Sequence, residues 1–342
     1  MKTTSYGWIF SAVALLLVSG ATFAQAPQSS PAAMRGLRLR GGMPFSQLGA
    51  TPAHASEAGG QPPEVPALSL TWGIYTFPGS VGSYVAGVNK AGHIVGDYGP
   101  GLYPPYNGPI HGFLLKSNKF TSFDYPGAVA TEPQGINDSG EIVGGWLDTS
   151  GYGHSFQLKS GIFTTIDPPG SNSSFAAGIN KAGDIVGTWS ADDFYHTCHG
   201  YVYSKGVFTT VDYPGAVCTY AVGINNAGDI AGYYLLTLTT SSGFVYGKGT
   251  FTTMNYPGSY DYNGVFDIND NGLILGTYGN NGYPYVFQHC YLFQSGIYTS
   301  CDPPFGPPAW TAPTHLNDSG IVAGEYVDNS GTSYGYTATV GP

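Results

Sequence analysis

"GINKAGDIVGTW", residues 178–189, has close copies in "GINDSGEIVGGW" at 135–146 and "GINNAGDIAGYY" at 223–234. A stretch written three times is either a site used repeatedly or a piece of scaffold. Its signature, "N-x-x-G", recurs at Asn89, Asn137, Asn180, Asn225, Asn269 and Asn317, at intervals of 48, 43, 45, 44 and 48 residues. A second motif keeps the same step: "FTSFDYPG" from Phe120, "FTTIDPPG" from Phe163, "FTTVDYPG" from Phe208 and "FTTMNYPG" from Phe251, with worn copies at 72–79 and 298–306. A third is "HGF" at His111, "HSF" at His154, "HGY" at His199, "SGF" at Ser242, "HCY" at His289 and "YGY" at Tyr334. Three motifs sharing one period of about 45 residues define a repeat architecture.

Each unit reads as four short strands. The first ends in "GIN" and turns through Asn and Gly, which accept a backbone bond and a left-handed conformation. The second alternates, as in "DIVGTW". The third begins at the His motif and turns tightly into the fourth, which stops at a Pro-Gly of type II character. Four strands per unit predict the blades of an all-β propeller, six in number. The domain enters at a fourth-type strand, 70–77, and leaves after a third-type strand, 334–340. The N-terminal strand is therefore expected to close the ring as an outer edge, where a terminal proline is tolerated. The alternative architecture is an open β-solenoid, which gives no reason for the chain ends to complement each other.

With these motifs the chain resembles the HAF family of extracellular repeat proteins, named for a His-Ala-Phe element. Here Gly, Ser or Cys stands in the middle, as in His111-Gly112-Phe113 and His154-Ser155-Phe156. The resemblance spans about 74–340. It implies export and repetition, and leaves the function open.

The N-terminus carries Lys2, an apolar run from Ile9 to Val18 and small residues in "ATFAQA" at 21–26. That is the pattern of a secretory signal, 1–24, cut after Ala24. The run is too short to span a bilayer, which takes ~20 residues, so no integral membrane segment is expected after processing. Residues 25–69, rich in Pro, Ala and Gly, read as a flexible linker holding Arg35, Arg38 and Arg40. The repeat domain is 70–342. It has seven Lys and no Arg against nineteen Asp and Glu, a net charge near −12. That sign repels phosphate backbones, so nucleic acid is a poor partner. Tyr occurs 27 times, a composition suited to polar, uncharged ligands.

A residue present in nearly every repeat serves the repeat. A single site should consist of departures from it. Two residues before the repeated Asn, four units have Gly87, Gly135, Gly178 and Gly223, while the last two have Asp267 and His315. With Glu132 these are candidate channel acids and base. The repeated histidines should sit in separate blades, and metal ligands must all lie about 2.1 Å from one ion, so no metal site and no cofactor are expected. "DINDNG" at 267–272 opens like a calcium loop, but Tyr278 stands where that loop needs a Glu.

The long connections should lie together on one face of the ring, as should the short turns on the other. Binding residues favour long loops on a rigid scaffold. Tyr84, Tyr103, Tyr106, Phe175, Tyr195, Tyr220, Tyr260, Tyr262 and Trp310 are assigned to that face, with Gln134 as an added polar group. Flat aromatic faces beside amides and carboxylates suit sugar rings. The expected function is a secreted, monomeric, non-catalytic propeller, extracellular or periplasmic, binding a polysaccharide or cell-surface component. The alternatives are a carbohydrate-active hydrolase or lyase using the channel acids, and a structural envelope protein.

Export makes disulfides the expected state of Cys198, Cys218, Cys290 and Cys301. In "CYLFQSGIYTSC" a two-residue turn at Ser295-Gly296 places Cys290 opposite Cys301, within disulfide reach. Cys198–Cys218 follows by elimination.

Overall fold

The computed structural model describes residues 70–100, 108–192, 197–237, 240–259, 262–279, 289–303, 310–327 and 332–340. Residues 1–69, where a signal and a linker are expected, lie outside them. Every regular element among the described residues is a β-strand. Strand β1 is Leu70–Tyr75. The first full repeat holds β2 (Gly82–Val88), β3 (Ile94–Gly99), β4 (His111–Lys116) and β5 (Lys119–Phe123). The second holds β6 (Ala130–Ile136), β7 (Ile142–Leu147), β8 (Gly153–Lys159) and β9 (Ile162–Thr165). The third holds β10 (Ser173–Ile179), β11 (Ile185–Ser190), β12 (His199–Ser204) and β13 (Val207–Thr210). Next come β14 (Cys218–Ile224), β15 (Ile230–Thr237), β16 (Thr240–Gly247) and β17 (Thr250–Met254). Then follow β18 (Tyr262–Ile268), β19 (Ile274–Gly279), β20 (His289–Gln294) and β21 (Ile297–Ser300). The last repeat has β22 (Trp310–Leu316), β23 (Ile321–Val327) and β24 (Ser333–Val340).

The strands build a β-propeller arrangement of four-stranded antiparallel blades. Four sheets are discrete blades, not the six expected: β2–β5, β6–β9, β10–β13, and β22–β24 with β1. The other eight strands form one sheet. Its halves, β14–β17 and β18–β21, are joined by the parallel pair Ser241–Tyr262. The same kind of link appears elsewhere as an isolated bridge, Ile110–Ala130 and Cys198–Cys218. Strand β1 pairs antiparallel with β24 from Leu70–Val340 to Tyr75–Gly335, so the chain's entry completes its last sheet. The solenoid alternative leaves that pairing without a cause.

The repeated Asn works through both ends of its amide. In the second repeat, Asn137 Oδ1 accepts from the backbone of Ser139 and Glu141, both at 3.0 Å. Its Nδ2 donates to the carbonyl of Asn180, 3.1 Å away. The same reach links Asn89 to Asn137, Asn180 to Asn225 and Asn269 to Asn317. It returns from Asn317 to Asn89 at 2.9 Å. The motif that repeats most faithfully is thus a belt of hydrogen bonds around one end of an axis.

Every first strand carries a bulge three residues before its Asn, for example between Val85 and Gly87 or between Pro133 and Gly135. The glycine of the second strand follows from close backbone approach. A Cβ on Gly96 would lie 1.9 Å from the Tyr84 carbonyl oxygen.

Both disulfides form as expected. Gln294 faces Ile297 across the Ser295-Gly296 turn, and the register carries Cys290 opposite Cys301. The pair keeps one backbone bond, Cys301 N to Cys290 O, while Cys290 N turns to Asp302 Oδ1. Cys198–Cys218 joins the start of β12 to β14 in the next sheet.

Candidate functional site

A bulge leaves one residue outside the strand ladder and re-aims its side chain. The bulged residues of all six first strands, Ala86, Gln134, Ala177, Val222, Phe266 and Thr314, line one axial cavity of about 30 Å³. Phe175, Thr188, Tyr220 and Tyr233 line it too. Two strand positions therefore form its wall: the residue five before the Asn, and its cross-strand partner in the second strand. Phe175 pairs with Thr188 and Tyr220 with Tyr233.

In the neighbouring repeats those positions are acidic. Tyr84 pairs with Asp97, Glu132 with Gly145, and Ala312 with Glu325. Asp97 and Glu325 are fully buried and Glu132 nearly so. Adjacent sheets bring the two positions together, since a Cβ on Gly145 would lie 2.3 Å from the Phe175 ring. Ser333 donates to Glu325 and to the Ser83 carbonyl, tying that carboxylate to the first sheet. Glu325, Asp97 and Glu132 are thus buried in the inner strands of three sheets and are not among the residues that line the cavity. One wall of the cavity is aromatic, with Tyr220 stacked on Tyr233 at 4.5 Å and Phe266 5.9 Å from Tyr233. Burial, and then Tyr220, push the Tyr233 phenol well above its ordinary range, so it stays a neutral donor.

The opposite end of the axis holds a second cavity, about 60 Å³, lined by the Asn belt and by Asp267 and His315. These two meet, with His315 Nδ1 2.6 Å from Asp267 Oδ2. The carboxylate also accepts from the backbone N–H groups of Ile268 and Leu316, at 2.9 and 2.7 Å. Gly223 makes room for it: a Cβ there would lie 2.3 Å from Asp267 Oδ1. Burial works against a charged His315, but the Asp267 carboxylate, its hydrogen bond, Asp318 and the Val88 carbonyl outweigh it and raise the pKa. Asp318, at the same mouth, is also raised, first by burial and then by repulsion from Asp270 and Asp138.

The repeated histidines do not converge. Each bonds the aspartate of its own fourth strand: His111–Asp124, His154–Asp167, His199–Asp212 and His289–Asp302, all with Nδ1–O distances of 2.7–2.9 Å. The hydrogen bond that His154 donates to Asp167 leads the causes that raise its pKa, and the bond from His289 to Asp302 does the same for His289. Each imidazole also lies against a second-strand aromatic, as His154 does on Trp146 at 4.4 Å. The other face of Trp146 is covered by Tyr125 of the preceding sheet, 4.1 Å away and 4° from parallel. Tyr278 is enclosed likewise by Tyr256 and His289. These aromatic faces bind adjacent blades to each other. Among the described residues no cluster of three or more His, Cys, Asp or Glu has metal-ligand geometry.

The candidates from the sequence separate accordingly. Gln134, Phe175 and Tyr220 line one cavity from the innermost strands around the axis, and Glu132 and Tyr84 are buried in first strands without lining it. The expectation that these aromatics stand in exposed loops is corrected: Tyr84 is 0 %, Phe175 8 % and Tyr220 6 % exposed. Strand pairing extends further than the composition of the connections suggested, and Tyr262 likewise opens β18. Tyr103, Tyr106, Tyr195 and Tyr260 lie outside the described residues, as does the side chain of Trp310. Glu132 is not assembled with Asp267 and His315, since the latter pair sits at the other end of the axis. Asp97, Glu325 and Tyr233 were missed. They depart from the repeat at one second-strand position, where other units have Gly145, Thr188 and Thr277.

No protein-family model matches the chain and no curated protein matches it. Among solved structures it is similar to a protein of unknown function from Dyadobacter fermentans, with 12% identity, TM-score 0.49 and coverage of 81% of this chain and 100% of that one. It is also similar to the Aleuria aurantia lectin in complex with Fucα1-6GlcNAc, with 11% identity, TM-score 0.48 and coverage of 76% and 94%. A third likeness is the β-propeller domain of the trilobed protease of Pyrococcus furiosus, with 11% identity, TM-score 0.44 and coverage of 77% and 94%. At this level of similarity they carry no argument about what this chain binds.

Proposed function

We propose that this chain is an exported, non-catalytic propeller of the HAF type that binds a surface glycan at the long-connection end of its axis. In this reading the eight-stranded sheet acts as two blades, so six repeats surround the axis. The observation that carries the reading is the convergence of departures from the repeat on one axial cavity, where the Gln134 amide meets the aromatic side chains of Phe175, Tyr220, Tyr233 and Phe266. Repeated residues elsewhere are occupied in holding blades together. The two disulfides fit an oxidising compartment, extracellular or periplasmic. No helix among the described residues is long and apolar enough to cross a membrane.

The axial cavity, about 30 Å³, admits only a group of about water size. A glycan would insert one functional group there and lay its ring on the end of the propeller. The test is a glycan array probed with the full chain and with Gln134→Leu. Ligands retained by the parent and lost by the variant, at unchanged melting temperature, support the reading. An array without ligands overturns it.

A further inference from the structure

We infer that the group received by the axial cavity is an acetyl group on a neutral sugar, with its carbonyl oxygen on the Gln134 amide and its methyl against the aromatic rings. This rests on the glycan-binding reading and names its ligand class.

Gln134 is the first ground. It stands at the bulge of β6, it is 8 % exposed and lines the cavity, and its Nε2 has no hydrogen-bond partner. A buried amide N–H without an acceptor is costly, and the fold does not require one at this position. The other five repeats have Ala86, Ala177, Val222, Phe266 and Thr314 there. Thr314 is polar too, but it is satisfied within the fold. Its hydroxyl lies 3.1 Å from the Ala323 carbonyl oxygen and 3.3 Å from that of Val85. Of the six bulge residues, Gln134 brings the donor that a ligand oxygen would complete.

The second ground is the rest of the lining. It includes no carboxylate and no cation, so a charged group would lose its hydration there without a counter-charge. Phe175, Val222, Phe266 and the ring of Tyr233 make the remainder largely apolar. A sugar hydroxyl also accepts, but it brings a proton of its own and no apolar part. A carbonyl oxygen only accepts, and the methyl beside it suits the rings. The volume, about 30 Å³, is roughly twice what one water needs. That takes an oxygen and a methyl, and it excludes the sugar ring that carries them.

Calorimetric titration of the full chain decides it, with oligomers of equal length: β-1,4-linked N-acetylglucosamine, O-acetylated glucose and unsubstituted glucose. At least one acetylated oligomer should bind about tenfold tighter than unsubstituted glucose, a difference of about 1.4 kcal/mol. Which of the two does so tells an N-acetyl from an O-acetyl ligand. Gln134→Leu removes the donor and keeps the apolar contact. Ala177→Val narrows the cavity with the residue that the next repeat carries there, Val222. Each should remove most of the preference and leave the affinity for unsubstituted glucose unchanged, and without ligand each should melt no lower than the parent. Equal affinity for all three oligomers, or array ligands that lack acetyl groups, overturns the acetyl group and leaves glycan binding intact. A preference that survives both variants places the acetyl contact elsewhere and overturns the inference. A lower melting temperature in Gln134→Leu makes Gln134 part of the scaffold and overturns it too. No binding of any oligomer, with an empty array, removes both readings.

Discussion

The two ends of the propeller axis are built from the same strands and obey opposite rules. At the short-turn end the repeats agree. Each contributes an Asn whose amide bonds its own turn, and nearly every one reaches the next repeat as well. At the other end the repeats disagree, with acids in three sheets and aromatic rings in two others. Agreement spreads one stabilising bond around a circle. Disagreement leaves buried polar groups whose presence stability alone does not explain. The first end is scaffold, and the second is where selection for binding would act.

The strongest way to break this comparison is to open the circle, because both ends then fail together. Deleting Leu70–Tyr75 exposes β24 along its length and uncovers the packing of Trp72 on Tyr336, 5.3 Å apart. Losing the burial of Leu70, Trp72 and Tyr75 should cost about 5 kcal/mol, at 1.5–3 kcal/mol per large side chain. Thermal melting should show a collapse of the transition. An unchanged midpoint would mean that the last sheet is stable with three strands.

Asp267 and His315 mark where the belt end itself departs from the repeat, and their pairing predicts a structural role. Asp267→Ala leaves His315 and two backbone N–H groups without their acceptor, and should cost about 3–5 kcal/mol, as for other broken buried pairs. The pair also sets a pH dependence. A histidine whose folded pKa is raised contributes stability in full below the unfolded value, near 6.5. That contribution declines as pH rises through the raised value. Denaturant midpoints measured from pH 6 upward should therefore fall in the parent. They should fall less in Asp267→Asn. Parallel profiles would separate the pair from the pH response.

Much of the scaffold was legible because a repeat tests itself. The 45-residue period, the strand order, β1 as the missing strand and the Cys290–Cys301 disulfide follow from spacing and register, and Cys198–Cys218 by elimination. The separation into discrete sheets was not legible, because a single parallel pair at Ser241–Tyr262 leaves no mark in composition. The site was legible in part. Glu132 and Gln134 stand out because they break a pattern of small or apolar residues. Tyr84, Phe175 and Tyr220 were placed in loops because aromatic composition does not show where a strand begins. Asp97 and Glu325 were invisible until the second strands were aligned by their pairing, since their neighbours vary too much to define a rule.

Amide substitution at the buried acids of the long-connection end should invert the response seen at the belt. Glu132→Gln and Asp97→Asn keep shape and exchange a buried carboxylate for an amide. Without ligand they should leave stability unchanged or raise it by up to about 1 kcal/mol, since buried charges are often replaced at no loss. Equilibrium denaturation checks this. A loss comparable with that of Asp267→Ala would make both ends scaffold.

The smallest expected effect tests whether the histidine dyads at the long-connection face are structural despite lying near the site. One repeat replaces both partners at once. Ser242 stands for the histidine and Asn255 for the aspartate, with Asn255 Nδ2 donating to Ser242 Oγ at 3.3 Å. Asn255 Oδ1 still accepts from Gly243 N, as Asp212 Oδ1 does from Gly200 N in the preceding sheet. The second-strand aromatic is retained too, as Tyr234 stacked on Tyr213 at 3.5 Å. Restoring the dyad by Ser242→His with Asn255→Asp should therefore supply a partner the site can already receive. Either change alone should be neutral or slightly harmful, because it introduces a charge or a ring without its counterpart. Together they should show a favourable coupling of about 0.5–1 kcal/mol, the range for half-exposed ion pairs. Glycan affinity should not move. A coupling of zero would mean that the dyads contribute nothing to the blade. An affinity that rose with the added dyad would move the binding surface from the axis to the blades.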